Sequence, residues 1–279
     1  MTDAAQDGQL TYKAVFKTFA TGGGASTDNG AYRPVSEVMA TFYHELGRPV
    51  VFYYRSAVED FLVVTHLEMI DEHFQYDPIF ALGLVSAFRE FLRSYPNGAA
   101  RDHIFHCMCK ALQLDEQRLV DDAEAATQWA TGKSEEEVLA AVTDTAGTDD
   151  ASQPPVLQAL RKCRQADGTY YYSREFGLGI IRLMLLCNVE LTLQAAARWA
   201  EALRISAIKL QQDVDLYSAS MEKLAQTELM YKEAEAREKA RIAERLAEKA
   251  RQAEAKLKQE KSGASAAAAA AAEKSPPES

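Results

Sequence analysis

Two stretches of nine residues, 96 positions apart, limit what this chain can fold into. Tyr76-Asp77-Pro78-Ile79-Phe80-Ala81-Leu82-Gly83-Leu84 and Tyr172-Ser173-Arg174-Glu175-Phe176-Gly177-Leu178-Gly179-Ile180 share Tyr, Phe, Leu and Gly in register. Each reads as a helix start: a ring, a side chain able to accept bonds from the first free amides, and a second ring. Pro78 suits a first turn, where its missing N–H has no partner to lose. A mid-helix glycine costs roughly 1 kcal/mol relative to alanine, so it needs a packing reason, and the one at hand is close approach of another helix. Two such helices facing each other predict an all-α, single helical bundle domain around two central Gly-containing helices. Four identities in nine do not make a duplication the expected reading.

The surrounding sequence is helical in period. Val35, Val38, Met39, Phe42 and Leu46 share a face, and Pro49 interrupts that run. The next helix, starting near Pro49, carries Val58, Leu62, Thr65 and Met69 on one stripe with Phe61, Val64 and His66 beside it, which predicts burial over more than half its girth. Phe80, Leu84, Phe88, Phe91 and Leu92 form the buried stripe of the first glycine helix, stopped by Pro96 and Gly98. Asp115 is placed to cap a following helix, and Ser134 with Glu137 makes a capping box. TDTAGTDDASQPP, lying within 142–155, reads as a loop.

A last helix begins near Ser206, with Leu210, Val214, Tyr217, Met221, Leu224 and Tyr231 at 4-3 spacings. From Lys232 the apolar positions thin within a run of Ala, Glu, Lys and Arg, supported by Glu233/Arg237, Glu235/Lys239 and Glu254/Lys258 one turn apart. This predicts a long protruding C-terminal helix, either solvated or weakly paired as a coiled coil. The expected organisation is a flexible N-terminal arm (1–30), a helical bundle (31–231), a charged helix extension (232–261) and a disordered Ala-rich tail (262–279).

Charge narrows the partners. The chain carries a formal net charge of −10, with −12 in residues 1–231 and +3 in 232–261. An acidic body opposes phosphate, so no nucleic acid is expected. The longest apolar candidate, 176–187, is twelve residues and contains Arg182, short of a membrane span. Asp3 and Asp7 argue against a secretory or transit segment in the chain as given, while a plastid-encoded or mature plastid protein stays compatible. Four cysteines, only two of them near neighbours, do not form a disulfide framework.

The chemistry census is thin. His103, His106, Cys107 and Cys109 fall into pairs on different sides of a helix, so no metal site is expected. Asp121, Asp122 and Glu124 read as charge on a solvated face. TGGGAS lacks the lysine of a phosphate loop, and GTDD lacks the ligands of a calcium loop. His66 has no local cysteine or serine to make it a base, so a hydrogen-bonded core or boundary histidine is expected. Arg237, Arg241, Arg245 and Lys249 recur every fourth residue as a basic stripe, open to acidic headgroups or an acidic protein, although without large apolar residues opposite. No cofactor and no enzyme follow from these residues.

The segments VSEVMATFYHEL, YYRSAVEDFLVVTHL, QYDPIFALGLVSAFREFLRSYP, RDHIFHCMCKAL, DAEAATQWA, YYYSREFGLGIIRLMLL and IKLQQDVDLYSASMEKLAQTELMYKE together resemble the thylakoid formation protein family. The most specific pieces are Tyr76-Asp77-Pro78-Ile79-Phe80-Ala81-Leu82-Gly83, Tyr172-Ser173-Arg174 and Asp213-Val214-Asp215-Leu216-Tyr217. The resemblance implies a non-enzymatic accessory protein of photosystem II biogenesis and repair, peripheral to the thylakoid membrane of chloroplasts or cyanobacteria on its stromal or cytoplasmic side. It also implies an FtsH-type thylakoid AAA metalloprotease and photosystem II components as partners. The matching positions Tyr76, Asp77, Pro78, Phe80, Gly83, Tyr172, Ser173, Arg174, Gly179, Asp213 and Tyr217 are expected to be structural. The start before Val35, the 142–155 loop and the alanine tail have no counterpart in the family pattern.

Overall fold

A computed structural model describes residues 33–144 and 152–272, with 253–272 described by backbone alone. The expected N-terminal arm, the middle of the 142–155 loop and the end of the tail lie outside the described residues. Among the described residues are ten helices and no strand. In chain order they are α1 Val35–Leu46, α2 Phe52–Met69, α3 Pro78–Phe91, α4 Gly98–Leu112, α5 Glu116–Ala130, α6 Glu135–Thr143, α7 Pro155–Gln165, α8 Arg174–Leu186, α9 Leu193–Leu203 and α10 Ala207–Ala272. The all-α bundle around two glycine helices is therefore what the chain forms.

The starts are set by side-chain caps. Asp77 accepts from the amides of Ile79 (2.7 Å) and Phe80 (2.8 Å), and Ser173 from Phe176 at 3.0 Å. Asp115 accepts from Arg118 at 3.1 Å, and the Ser134/Glu137 box is complete in both directions. Each bond satisfies an amide that has no partner inside its own helix.

α3 and α8 make the most extensive helix–helix contact. A Cβ on Gly83 would lie 1.8 Å from the Glu175 carbonyl oxygen, and one on Gly179 would lie 2.1 Å from that of Ile79. The two helices thus touch backbone to backbone, and each glycine faces the carbonyl four residues before the other. Two apolar clusters flank the crossing. One draws on residues 38–123 and takes Leu178 from α8; the other draws on residues 126–214 and takes Ile79 and Leu82 from α3. Leu82 and Leu178 exchange sides at the same offset of 96.

The correspondence runs well beyond nine residues. α4 and α9 both end in the left-handed region, at Gln113 (φ 60°) and Arg204 (φ 55°), and α5 and α10 start three residues further on. α1–α5 and α6–α10 divide the helices into two halves, each with its glycine helix third.

α2 departs from expectation. Ala57, Val58, Leu62, Thr65 and His66 are buried and most other α2 residues are half-buried, while Phe52, Tyr53, Arg55 and Leu67 are exposed; besides α1 and α4, α2 meets α3 through Phe61 and α8 through Thr65. The chain divides between Glu222 and Lys223 into two units, and the expected 231/232 boundary falls inside α10. In the second unit Arg237 pairs with Glu233 at 3.3 Å and Lys239 with Glu235 at 2.6 Å. The backbone stays helical to Ala272, so residues 262–272 of the tail expected to be disordered are helical, since alanine is the best helix former.

Candidate functional site

The polar chemistry of the body is concentrated where α3 and α8 begin. At α3, the Phe74 and Tyr76 rings meet Phe80 at 5.1 and 5.9 Å. The Tyr76 hydroxyl donates to Asp122 at 2.7 Å, and the Arg118 guanidinium sits 4.5 Å over the same ring. At α8, Tyr170 and Tyr172 meet Phe176 at 5.1 and 5.8 Å, Tyr172 donates to Asp213 at 2.6 Å, and the Lys209 ammonium lies 5.7 Å over the ring. Arg118/Asp122 on α5 and Lys209/Asp213 on α10 are each one turn apart. The same device, a tyrosine held by a carboxylate below and a cation above, therefore fastens each central helix to the last helix of its half. Tyr170 also donates to Asp77, so the α3 cap is bonded to the segment that leads into α8.

Beside the α8 start lies an acidic cluster. Glu175 is 1% exposed; its Oε1 accepts from the Thr65 hydroxyl at 2.8 Å, and its Oε2 is buried without a partner. Glu68 accepts from the Arg174 amide at 2.8 Å through Oε1, and its Oε2 is likewise buried and unpartnered. Asp60 and Asp213 face the Arg174 guanidinium, whose charge burial disfavours and those two carboxyls support. Loss of water pushes Glu175 up to about 7, against the Thr65 bond. It pushes Asp213 to about 6, against Tyr172 and Arg174, and Asp60 to about 6, against Arg174. Burial also raises Asp77 against its three donors. Burial therefore raises each of these carboxyls against the donors and cation that favour its charged form.

The predicted positions fall into two groups. Tyr76, Asp77, Pro78, Phe80 and Gly83 of the first start and Tyr172, Ser173, Arg174 and Gly179 of the second meet at the crossing, with Asp213 and Tyr217 on α10 alongside. Tyr217 lines a cleft of about 330 Å3 with Ser86, Thr127 and Arg182. Arg237, Arg241, Arg245 and Lys249 are exposed in the second unit, where Arg241 also approaches Glu238 at 3.6 Å.

Asp122 is a correction. Read as solvated charge, it is the acceptor for Tyr76, and the signal was available in its spacing from Arg118, which matches that of Lys209 and Asp213. The grouping of Thr65, Glu68 and Glu175 was also missed, because these residues come from two helices more than 100 positions apart. Cys107 and Cys109 are buried while His103 and His106 are exposed, so these four do not converge. Among the described residues no group of three or more His, Cys, Asp or Glu could hold a metal. His66, 6% exposed, donates from Nε2 to the Arg33 carbonyl at 2.7 Å. Burial pushes the Cys109 and Cys163 thiols up to about 12, far from a nucleophilic thiolate.

Comparison with known proteins follows the same residues. A family pattern described as Thylakoid formation protein matches residues 34–246. Protein Thf1 of Acaryochloris marina is 34% identical over 201 residues, covering 70% of this chain and 79% of that protein. Protein Thf1 of a Cyanothece species is 32% identical, covering 70% and 83%. Protein THYLAKOID FORMATION1, chloroplastic, of Oryza sativa subsp. japonica is 29% identical, covering 76% and 71%. A solved structure of Psb29 superposes with a TM-score of 0.66 at 29% identity, covering 76% of this chain and 100% of that one.

Proposed function

The chain belongs to the thylakoid formation protein family, and from that premise we propose that it is a non-enzymatic accessory protein of photosystem II biogenesis and repair. It acts at the thylakoid membrane, peripherally and from the stromal or cytoplasmic side, and supports an FtsH-type AAA metalloprotease through protein contacts. The observation that carries this reading is the ordered match over 34–246 with cyanobacterial and chloroplastic relatives. The site chemistry agrees with it. The tyrosines, caps and carboxyls at the crossing bond to one another, and the two thiols pushed highest are held protonated, so the polar groups hold helices in place. No helix among the described residues is long and apolar enough to cross a membrane, which suits peripheral attachment.

The test is a crosslinked capture from solubilised thylakoids with the full chain and with a chain ending at Tyr231. Recovery of the protease by both assigns the contact to the helical body; recovery by the full chain alone assigns it to the charged helix. Recovery by neither, with photosystem repair intact in a deletion strain, overturns the reading. The exposed stripe Arg237, Arg241, Arg245 and Lys249 favours a second reading, a structural protein that organises membranes or partner helices through that stripe. It expects binding to anionic vesicles that weakens with salt and is lost when the four cations are neutralised.

A further inference from the structure

The start of α2 leaves two large rings in water. Phe52 is 63% exposed and Tyr53 is 58% exposed, and their rings meet edge to face at 5.7 Å. A single exposed apolar side chain is ordinary. Two adjacent rings beside an exposed Pro49, at the mouth of a helix, form a continuous apolar tip. The same segment inverts the charge of the molecule. In a chain of net charge −10, the stretch between Glu45 and Glu59 carries Arg48 and Arg55 and no acidic residue. The first turn of α2 holds no carboxylate to meet the positive end of the helix, and its N-cap, Val51, makes no side-chain bond, although the Val51 amide donates to the Tyr95 hydroxyl at 3.3 Å. Arg55 is engaged by Glu59 at 2.9 Å, and Glu59 also accepts from Tyr43. Arg48 lines a surface hollow of about 480 Å3 with Pro49 and Phe52, and it faces no acid within its own segment.

We propose that this tip, Arg48 to Arg55, is a docking surface for an anionic lipid bilayer. Phe52 and Tyr53 enter the interfacial layer, where amphipathic and apolar rings are favoured, and Arg48 together with the α2 start meets the headgroup anions. Rings beside Arg48, with no acid between residues 46 and 58, complement a surface whose outer layer is anionic and whose next layer is apolar, while Arg55 is already paired with Glu59. The tip differs from the basic stripe of α10, which has cations without adjacent rings. It rests on the proposed peripheral attachment and names the surface for it, and no step of it needs the protease contact.

The test uses the purified full chain and lipid vesicles alone, so its failure is separate from a failed protease capture. Sedimentation with phosphatidylglycerol–phosphatidylcholine vesicles is expected to recover the chain, and phosphatidylcholine alone to recover much less. The double variant F52S/Y53S, changed only at exposed side chains and checked by an unchanged melting curve, is expected to bind at least ten-fold more weakly. R48Q is expected to weaken binding and its salt dependence. Neutralising Arg237, Arg241, Arg245 and Lys249 together is expected to leave the F52S/Y53S effect in place. As an independent readout, F52W is expected to shift its emission to the blue on vesicles and to be quenched by brominated acyl chains, measured as a difference against the wild-type tryptophans. Failure of the wild-type chain to bind anionic vesicles overturns the proposal, as does equal binding by F52S/Y53S or an unquenched F52W. Loss of self-association or of a protein partner in F52S/Y53S, with vesicle binding unchanged, assigns the tip to protein contact instead and also overturns it.

Discussion

Gly83 and Gly179 show how one atom decides a helix pair. At Gly83 a methyl group would stand 1.8 Å from a backbone carbonyl oxygen, and neither helix can yield without moving the clusters on both sides. Overpacking of this kind costs about 1–3 kcal/mol where side chains can give, and here the obstacle is backbone. Gly83→Ala is therefore expected to lose about 3 kcal/mol or more of stability, read as a lower urea midpoint. Gly98→Ala is the control. Nothing lies within 4 Å of its added Cβ and its φ is not left-handed, so replacing it is expected to be neutral or slightly stabilising.

The starts of α3 and α8 show what a cap does when a second element uses it. Ser173 serves one amide of its own helix, whereas Asp77 serves two amides and also accepts from Tyr170 in the segment before α8. Removing a cap costs about 0.5–2 kcal/mol, and a buried hydroxyl left unpaired adds about 1–3 kcal/mol. Asp77→Ala is accordingly expected to destabilise the chain more than Ser173→Ala, by a margin that Tyr170→Phe in the Asp77→Ala background removes. Equal urea midpoints for the two cap variants would show that the Tyr170 bond contributes nothing to holding the helices together.

Across the whole molecule the acidic cluster couples stability to pH. Glu175 rises from 4.5 to about 7 on folding, and Asp60 and Asp213 rise from 3.8 to about 6, so the folded chain holds more protons than the unfolded chain through those windows. Stability from these groups is fully present below the unfolded values and is lost as pH rises through the folded ones. The urea midpoint is thus expected to fall between pH 5 and pH 8. Glu175→Gln, neutral throughout, is expected to flatten the upper part of that fall, between about pH 6 and 8, while leaving the Asp60 and Asp213 part. A midpoint that rises over the same range would place the carboxyls in the charged form and remove the cluster as a proton site.

Local features were legible because they are written in neighbouring residues. The Asp77, Asp115, Ser134 and Ser173 caps, the helical period and the glycine helices follow from propensity and spacing, which act over a turn or two. The family resemblance rests on the same ordered stretches. What the sequence could not place are groups brought together from distant elements. Asp122 looked solvated until Tyr76 arrived from 46 residues away, and Glu175 carried no signal of burial until Thr65, 110 residues distant, closed over it. The burial of α2 was overestimated because periodicity records which face is apolar, and says little about how many neighbours cover it. The sequence by itself determined the helices, their ends and the need for a close approach at Gly83 and Gly179. Only the tertiary structure decided which backbone fills that approach, which carboxyls lose their water and which rings stay in it, because burial and charge pairing are properties of surfaces that exist only once the helices have met.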